Sequence, residues 1–251
     1  DSEINLNRFH PTTDLKELEK CNFIFITVPT PLREDKSPDL SYIQTAAENV
    51  GKILKKGQFI ILKSTTFPGT TEEYLIPILE KESKLKSIKD FGVAYSPERV
   101  DPGNQKFNIE NTPNVVGGLT PEFTEICAMF YQNITEKVVK VKDCKTAEAV
   151  KMIENIFRNV NIALVNELAL IFDKMDISIW EALDAASTKP YGFMPFYPGP
   201  GVGGHCIPLD PYYLAHRAKQ FEIIPRFIET AGEINDFMPI HIVNLAKRGL
   251  T

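Results

Sequence analysis

The chain has 251 residues, of which 43% are hydrophobic and 24% are charged, an ordinary composition for a globular protein with a sizeable core. Its 28 basic and 33 acidic residues give a net charge of -5 and form no basic block, which argues against nucleic-acid binding. No apolar run reaches the roughly 20 residues of a membrane-spanning helix and the acidic start is not a secretory signal, so we expect a cytoplasmic protein without a membrane segment.

The first half of the sequence alternates β-rich runs with helical runs, which is typical of a parallel sheet with crossover helices. The predicted strands cover residues 22–29, 58–65, 91–97, 114–118 and 136–143. The predicted helices among them cover residues 41–55, 70–82 and 121–132. The sequence therefore favours an α/β fold.

Polar residues close or follow the first three predicted strands. Ligands of open α/β sheets bind beyond the carboxyl ends of the strands, so these residues are candidate binding residues. They include Thr30, Thr65 and Glu98. Turn formation or helix capping is the alternative role of each one.

A nearly unbroken helical pattern begins at about Lys145. Its apolar residues cover most of the helix circumference, which is typical of a buried helix. Lys151, Asn155 and Arg158 stand at i, i+4 and i+7 and therefore share a face. A buried lysine must pair with a carboxylate such as Glu98 or Asp210 or have a chemical role, because desolvating an ammonium is costly.

Two further helices are predicted over residues 210–221 and 225–248, the first of them begun by Asp210. The loop ahead of it, PGPGVGGHCIPLDPYY over Pro198–Tyr213, holds Cys206 among glycines and prolines. Glycine permits unusual backbone angles and proline fixes its own. This composition therefore specifies one backbone path and places the thiol.

The four cysteines are irregularly spaced and form no CxxC pair, which argues against a zinc site and a disulfide framework. A small buried apolar thiol is the alternative role for Cys206, and it fits Cys21 and Cys127 better. A Cys-His hydrolase that uses His205 is disfavoured, because adjacent side chains rarely point at one another.

Five segments carry a resemblance along the whole chain. In chain order they read VPTPL, KSTTFPGTT, SPERVDPG, KMIENIFRNVNIALVNEL and PGPGVGGHCIPLDP. This series resembles the nucleotide-sugar 6-dehydrogenases of the UDP-glucose/GDP-mannose dehydrogenase family. The resemblance implies that NAD oxidises a sugar C6 alcohol to a carboxylate in two steps, through an aldehyde and a cysteine thioester.

The resemblance assigns the catalytic work to five residues. Cys206 is the implied nucleophile, which makes the aldehyde carbon tetrahedral so that a second hydride can leave. Lys151 and Asn155 are implied to stabilise the alkoxide and the later oxyanions, and Asp210 to help organise a base. Glu98 is implied to activate the water that hydrolyses the thioester.

The surroundings of Cys206 are expected to activate it. A helix start at Asp210 and the nearby Lys151 would each lower the pKa of the thiol. Helix N-capping is the alternative role of Asp210, because an Asp-Pro pair suits the first positions of a helix.

The resemblance also implies binding positions and no metal site. Thr30 and Thr65 match positions that contact NAD at strand ends. The expected substrate-binding residues are Arg99, Val100, Arg158, Phe193 and Gly201. The loop Lys189–Tyr197, KPYGFMPFY, is expected to line the nucleotide-sugar pocket, with an aromatic core as the alternative.

The sequence departs from the family in one respect, because no GxGxxG turn follows an early strand. By resemblance we expect an incomplete Rossmann-like NAD-binding domain over residues 1–144 and a long-helix central dimerisation domain over residues 145–251. The C-terminal UDP-binding domain of the family is expected to be missing, so that these residues alone do not turn over. A non-catalytic helical oligomerisation piece is the alternative.

The segment GGHCIPLDP is similar to the N-acetylhexosamine branch, because Leu209 stands where the UDP-glucose and GDP-mannose branches usually carry a lysine. The resemblance implies a UDP-N-acetylhexosamine substrate, UDP-N-acetylglucosamine first, oxidised for a surface polysaccharide. UDP-N-acetylmannosamine, UDP-N-acetylgalactosamine and UDP-glucose are the alternatives. Apolar surface on residues 145–175 and 225–248 implies a homodimer.

Overall fold

The computed structural model describes residues 9–101, 103–204 and 206–250, which form two compact units. The first unit runs to Thr30 and resumes over Asp39–Ala149. The second comprises Pro31–Pro38 and the chain from Val150 onward. Within the described ranges, no helix combines the length and the apolar character needed to cross a membrane.

Five strands of the first unit form one sheet in the order β1-β2-β3-β4-β5. They are β1 Phe23–Ile26, β2 Phe59–Leu62, β3 Gly92–Tyr95, β4 Asn114–Gly118 and β5 Val138–Lys140. Each lies within a range predicted from the sequence, so the five strand predictions are confirmed. Every residue of β2 and β3 is buried, as expected for central strands covered on both faces.

The direction of β4 differs from the prediction. The first three strands pair in parallel, but β4 is antiparallel to β3 and parallel to β5. A parallel neighbour requires a crossover connection, which is usually a helix. The described residues between β3 and β4 form no helix, so the chain re-enters the sheet at the edge where β3 ends.

The helices of the first unit cover the sheet. They are α1 Ser41–Ile53, a π-helical turn Thr71–Leu75 that continues into α2 Ile76–Ser83, and α3 Pro121–Tyr131. A short 3-10 helix, Leu15–Lys20, precedes β1 and was not predicted. The start of α3 is the predicted one, since the Thr120 hydroxyl accepts a hydrogen bond from the Phe123 N–H and Pro121 occupies the first turn.

The second unit is helical. It contains most of α4 Cys144–Met175, then α5 Ile179–Ser187, α6 Cys206–Lys219 and α7 Arg226–Leu250. The sequence analysis missed α5, although Ser178 caps it by accepting a hydrogen bond from the Glu181 N–H. The segment Pro31–Pro38 is tied to this unit by the Lys36 ammonium, which donates to the Tyr212 hydroxyl at 2.9 Å.

The prediction that α4 is buried on most of its circumference is wrong. One side of the helix exposes large apolar side chains, and Ile153 alone is 64% exposed. The exposed residues include Ile153, Phe157, Leu164 and Ile171. The helix is apolar on two sides, but the described residues of its unit cover only one of them.

Gly117 in β4 provides a test of the packing between the sheet and the start of α4. A Cβ atom added there would collide with the carbonyl oxygen of Asp143 and lie 3.1 Å from Ala147 Cβ. We expect Gly117→Ala to lower the free energy of unfolding by about 1–3 kcal/mol, because backbone cannot yield as a flexible side chain can. Urea unfolding followed by circular dichroism measures the change.

The matched control is Gly249→Ala, where an added Cβ meets no atom within 4 Å. We expect that control to change the free energy of unfolding by less than about 1 kcal/mol. Equal effects of the two substitutions would contradict the close packing at Gly117.

Candidate active site

The carboxyl ends of β1, β2 and β3 lie along one edge of the sheet, because these strands are parallel. The segments that follow β1 and β2 are joined there, since the Ser64 hydroxyl donates to the Val28 carbonyl at 2.8 Å. Thr30 is buried and Thr65 is half-buried at this edge. The structure therefore places both predicted cofactor-binding threonines beyond strand ends.

Glu98 follows β3 and is held from two sides. Its Oε1 accepts from the backbone N–H groups of Arg99 and Val100, each at 2.8 Å. Its Oε2 lies 3.2 Å from the ammonium of Lys63, which also donates to the Tyr131 hydroxyl at 3.3 Å. Partial burial alone would raise the pKa of Glu98, but the Val100 N–H and the Lys63 charge outweigh it and lower that pKa.

Lys63 is a site residue that the sequence analysis missed. The available signal was a charged residue placed directly after the fully apolar strand β2. Of the two neighbouring predicted substrate-binding residues, Arg99 donates to the Pro113 carbonyl and Val100 is exposed. Their contact with substrate stays a prediction.

Four predicted catalytic residues are brought together in the second unit by α4 and α6. The Asn155 amide donates a hydrogen bond to the Asp210 carboxylate, and both side chains are buried. Lys151 precedes Asn155 by one turn of α4, and Cys206 precedes Asp210 by one turn of α6. The charges of Lys151 and Asp210 both influence the pKa of the Cys206 thiol, so the three groups lie near one another.

Two expectations about Cys206 are wrong. Helix α6 begins at Cys206 itself, so Asp210 lies inside the helix and is not its N-cap. The pKa of Cys206 is raised, because partial burial and the Asp210 carboxylate disfavour the thiolate more than Lys151 favours it. Sequence reasoning counted the cation and overlooked the anion one turn away.

The early start of α6 is possible because Asn159 replaces a lost hydrogen bond. Pro211 has no N–H and cannot donate to the carbonyl of Ile207, four residues earlier in the helix. The Asn159 amide donates to that carbonyl at 3.2 Å instead. A side chain of α4 therefore compensates for a proline within α6.

Buried asparagines also hold the loop ahead of Cys206. The side-chain oxygen of Asn166 accepts a hydrogen bond from the Gly199 N–H, and its side-chain NH₂ donates one to the side-chain oxygen of Asn235, both at 2.9 Å. The Asn235 side-chain NH₂ in turn donates to the backbone carbonyl of Asn159 at 3.3 Å. The sequence analysis missed this network, although the spacing of the asparagines along α4 indicates one helix face.

Gly201 packs against the same network. Its φ of +99° lies in the left-handed region, and an added Cβ would stand 2.7 Å from the Asn235 carbonyl oxygen. Both the backbone angle and the close approach require glycine. The expectation that this loop follows one specified path agrees with these contacts.

Most of the loop KPYGFMPFY lies at the surface, and the aromatic-core alternative holds only for Phe196, which packs against a buried cluster of the second unit. Tyr191, Phe193 and Tyr197 are all exposed. Tyr197 is nevertheless fixed, because its ring stacks on Trp180 and its hydroxyl donates to Asp184 at 3.0 Å. The loop therefore presents aromatic side chains to solvent.

The remaining sequence expectations have mixed outcomes. Arg158 is exposed, whereas Asn155 on the same predicted face is buried. Cys127 is buried as expected, and burial raises its pKa to about 12, but Cys21 is exposed. His205, which a Cys-His hydrolase would need, lies outside the described residues.

Comparison with known proteins places this arrangement in a family. Residues 2–135 match the NAD-binding domain, and residues 145–237 the central domain, of the UDP-glucose/GDP-mannose dehydrogenase family. The chain belongs to this family. The resemblance found in the sequence is thereby confirmed, together with the presence of the family's NAD-binding domain.

Similar relatives act on several sugars. UDP-N-acetyl-D-glucosamine 6-dehydrogenase of Pseudomonas aeruginosa is 46% identical over 93% of this chain and 55% of the relative. UDP-N-acetyl-D-mannosamine dehydrogenase of Methanocaldococcus jannaschii is 39% identical over 92% of this chain and 52% of the relative. The chain spans about half the length of the curated relatives it matches.

A solved structure supports the fold. The UDP-D-ManNAc dehydrogenase of Pyrococcus horikoshii matches with a TM-score of 0.89 and 36% identity. The match covers 95% of this chain and 56% of that one. The α/β fold with long helices is therefore that of a nucleotide-sugar dehydrogenase.

The reactivity of Cys206 should follow the two charges that act on its thiol. We expect Asp210→Asn to speed alkylation of Cys206 by iodoacetamide at neutral pH several-fold, because removing the anion lowers the pKa of the thiol. Lys151→Met should slow the reaction for the opposite reason. Peptide mass spectrometry measures both rates at Cys206.

Cys21, which is also exposed, serves as the internal control in each variant and should react at one rate throughout. The Asp210→Asn substitution keeps a side-chain oxygen that can accept the hydrogen bond from the Asn155 amide. Unchanged Cys206 rates in both variants would contradict the electrostatic account.

Proposed function

We propose that the whole protein oxidises the C6 alcohol of a UDP-N-acetylhexosamine to the uronic acid, with UDP-N-acetylglucosamine as the preferred substrate. The observation that carries this proposal is the convergence of Lys151, Asn155, Cys206 and Asp210 in a central domain of this family. Relatives named for the N-acetylglucosamine derivative are 46% and 42% identical to the chain. The proposed reaction would supply a uronic acid for a surface polysaccharide.

The residues at the sheet edge fit the NAD that the family uses. Side-chain hydroxyls of Thr30 and Thr65 stand beyond parallel strands, where open α/β sheets bind nucleotides. NAD, when bound, accepts the hydride in each of the two oxidations. We assign cofactor binding to residues 1–144 and the catalytic thiol to the helical domain over residues 145–251.

The first oxidation requires a base for the hydroxyl proton and a cation for the alkoxide. The Asp210 carboxylate is oriented by the Asn155 amide, and Lys151 stands one turn away on the same helix as that amide. The Asp210–Lys151 pair would accept the hydroxyl proton. The protonated Lys151 and the Asn155 amide would then stabilise the oxyanion.

The second oxidation requires a tetrahedral carbon. The Cys206 sulfur bonds to the aldehyde carbon, and the C=O electron pair moves to the oxygen as an alkoxide. Because the pKa of Cys206 is raised, the thiol proton must be removed as the sulfur attacks, and the Asp210 carboxylate stands one turn along the helix to accept it. Loss of the hydride then leaves a thioester.

Hydrolysis of the thioester regenerates the thiol. Water adds to the thioester carbon, and the C–S bond breaks to release the carboxylate product. Glu98 suits the base for this water, because its lowered pKa keeps it ionised and therefore able to accept a proton. Arg99, Val100, Arg158, Phe193 and Gly201 remain the proposed substrate-binding residues.

The substrate assignment is tested by initial rates of NADH formation by the whole protein with a panel of nucleotide sugars. We expect UDP-N-acetylglucosamine to give the highest kcat/KM. UDP-N-acetylmannosamine, UDP-N-acetylgalactosamine and UDP-glucose should each be poorer by about tenfold or more, which corresponds to about 1.4 kcal/mol of transition-state binding. A higher kcat/KM for any of these would reassign the substrate.

The Cys206→Ser variant is the matched control for the chemistry. Net conversion to the acid should collapse, while the aldehyde or a stalled ester forms and is detected by mass spectrometry. Acid formation at the wild-type rate would remove Cys206 from the mechanism.

We also propose that the protein is a homodimer that covers the exposed side of α4. Ile153 and Leu164 lie on that side and are 64% and 50% exposed. Sedimentation should show a dimer at micromolar concentration, and Ile153→Asp with Leu164→Asp should yield a monomer. The control Ile88→Asp alters an equally exposed isoleucine of the first unit and should leave the dimer intact; a monomeric wild-type protein would contradict the proposal.

A further inference from the structure

Glu148 lies in the second turn of α4 and is completely buried. Its carboxylate accepts backbone hydrogen bonds from the Gly69 N–H at 2.5 Å and the Thr71 N–H at 2.8 Å. The hydroxyls of Thr71 and Thr66 lie at 2.7 and 3.4 Å from the same carboxylate. One side chain of α4 therefore binds four groups of the segment that follows β2.

The two backbone contacts define the chemistry that this position requires. Gly69 donates to Oε2 and Thr71 donates to Oε1, so both oxygens must act as acceptors. An ionised carboxylate meets this demand with two strong acceptors, a protonated acid weakens one of them, and a glutamine would turn its NH₂ group toward one backbone N–H. Leaving such a buried N–H without an acceptor is costly.

The segment held in this way is the one that carries Thr65. It runs from the end of β2 to the π-helical turn Thr71–Leu75, whose first N–H, that of Thr71, donates to Glu148. We propose that Glu148 is a positioning residue, which fixes residues 65–71 so that Thr65 contacts NAD and which releases them when it takes up a proton. This inference rests on the proposed function for the part that concerns NAD.

The proton required for release is available near neutral pH. Burial raises the pKa of Glu148 to about 7, although the hydrogen bonds from Thr71 and Gly69 oppose that rise. From the π-helical turn, the Glu72 carboxylate also raises this pKa. On α4 itself the buried Cys144 thiol interacts with Glu148, which helps to raise the pKa of that thiol.

Lys145 is the nearby cation, and it is directed to other carboxylates. Its ammonium lies 3.5 Å from Glu72 and 3.2 Å from Glu73. It therefore reduces the repulsion between Glu72 and Glu148. Lowering the pH below about 7 should thus protonate Glu148, while the ion pairs of Lys145 with Glu72 and Glu73 persist.

The same titration changes the stability of the fold in the direction opposite to its effect on the positioning of residues 65–71. The folded pKa of about 7 lies above the ordinary value of 4.5, so the folded protein binds this proton more tightly than the unfolded chain does. The contribution of Glu148 to stability is therefore full below about pH 4.5 and is lost as the pH rises through about 7. The positioning of residues 65–71 improves as the pH rises over the same range.

The test compares wild-type whole protein with Glu148→Gln and with the exposed control Glu136→Gln. Hydrogen exchange at the Gly69 and Thr71 amides, corrected for intrinsic rates, should speed up in wild type as the pH falls through 7. In Glu148→Gln it should be roughly tenfold faster at pH 8 and independent of this titration. The KM for NAD should rise roughly tenfold in Glu148→Gln with little change in kcat, and the control should match wild type.

Thr71→Val provides a second variant in case Glu148→Gln does not fold. It removes the hydroxyl hydrogen bond that most favours the Glu148 anion, so the pH midpoint of amide protection should move upward. Amide protection that is independent of pH from 5.5 to 8.5 in wild type would overturn the inference, as would an unchanged KM for NAD in Glu148→Gln. If wild type binds no NAD, the proposed function fails, and the exchange rates alone then confirm or refute the role of Glu148.

Discussion

The hydrogen bond between Asn155 and Asp210 is the constraint on which the proposed catalytic group depends. Both side chains are buried, where an unsatisfied carboxylate or amide would be costly. The bond fixes the register of α6 against α4, and that register sets the position of Cys206 on α6 relative to Lys151 on α4. A change of helix register would separate the thiol from the Lys151 charge, whereas Asp210 stays one turn away on the same helix.

The other contacts of the second unit follow from this register. The Asn159 amide can donate to the Ile207 carbonyl only in this register of α6 against α4. That hydrogen bond permits Pro211 within the helix. Asn166 then fixes the backbone of the cysteine loop at Gly199. The amides of α4 thus satisfy backbone groups that prolines and an irregular loop leave without partners.

Two glutamates of the first unit show how burial and donor type set different roles. Glu98 is partly exposed and lies beside the Lys63 ammonium, so its pKa falls and it remains a ready proton acceptor. Glu148 is fully buried among backbone N–H and hydroxyl donors, and desolvation raises its pKa to about 7. The same side chain is therefore suited to catalysis in one place and to a titrating structural contact in the other.

Much of the fold and of the site was predictable from local pattern. The strands are short apolar runs bounded by turn residues, and the spacing of Lys151 and Asn155 indicated one helix face. The direction of β4 had a local signal that the prediction overlooked, since no crossover helix was predicted between β3 and β4. The start of α6 was not predictable, because it depends on a contact distant in sequence, that of Asn159 with Ile207. The raised pKa of Cys206 likewise required the position of Asp210 in space.

A double-mutant cycle on Asn155→Ala and Asp210→Ala tests the central constraint most directly. The free energy of unfolding of the wild type, both single variants and the double variant gives the coupling energy between the two side chains. A coupling of about 1–3 kcal/mol is expected for a buried hydrogen bond to a charged group. Additive effects, with a coupling near zero, would contradict the claim that this bond fixes the catalytic group.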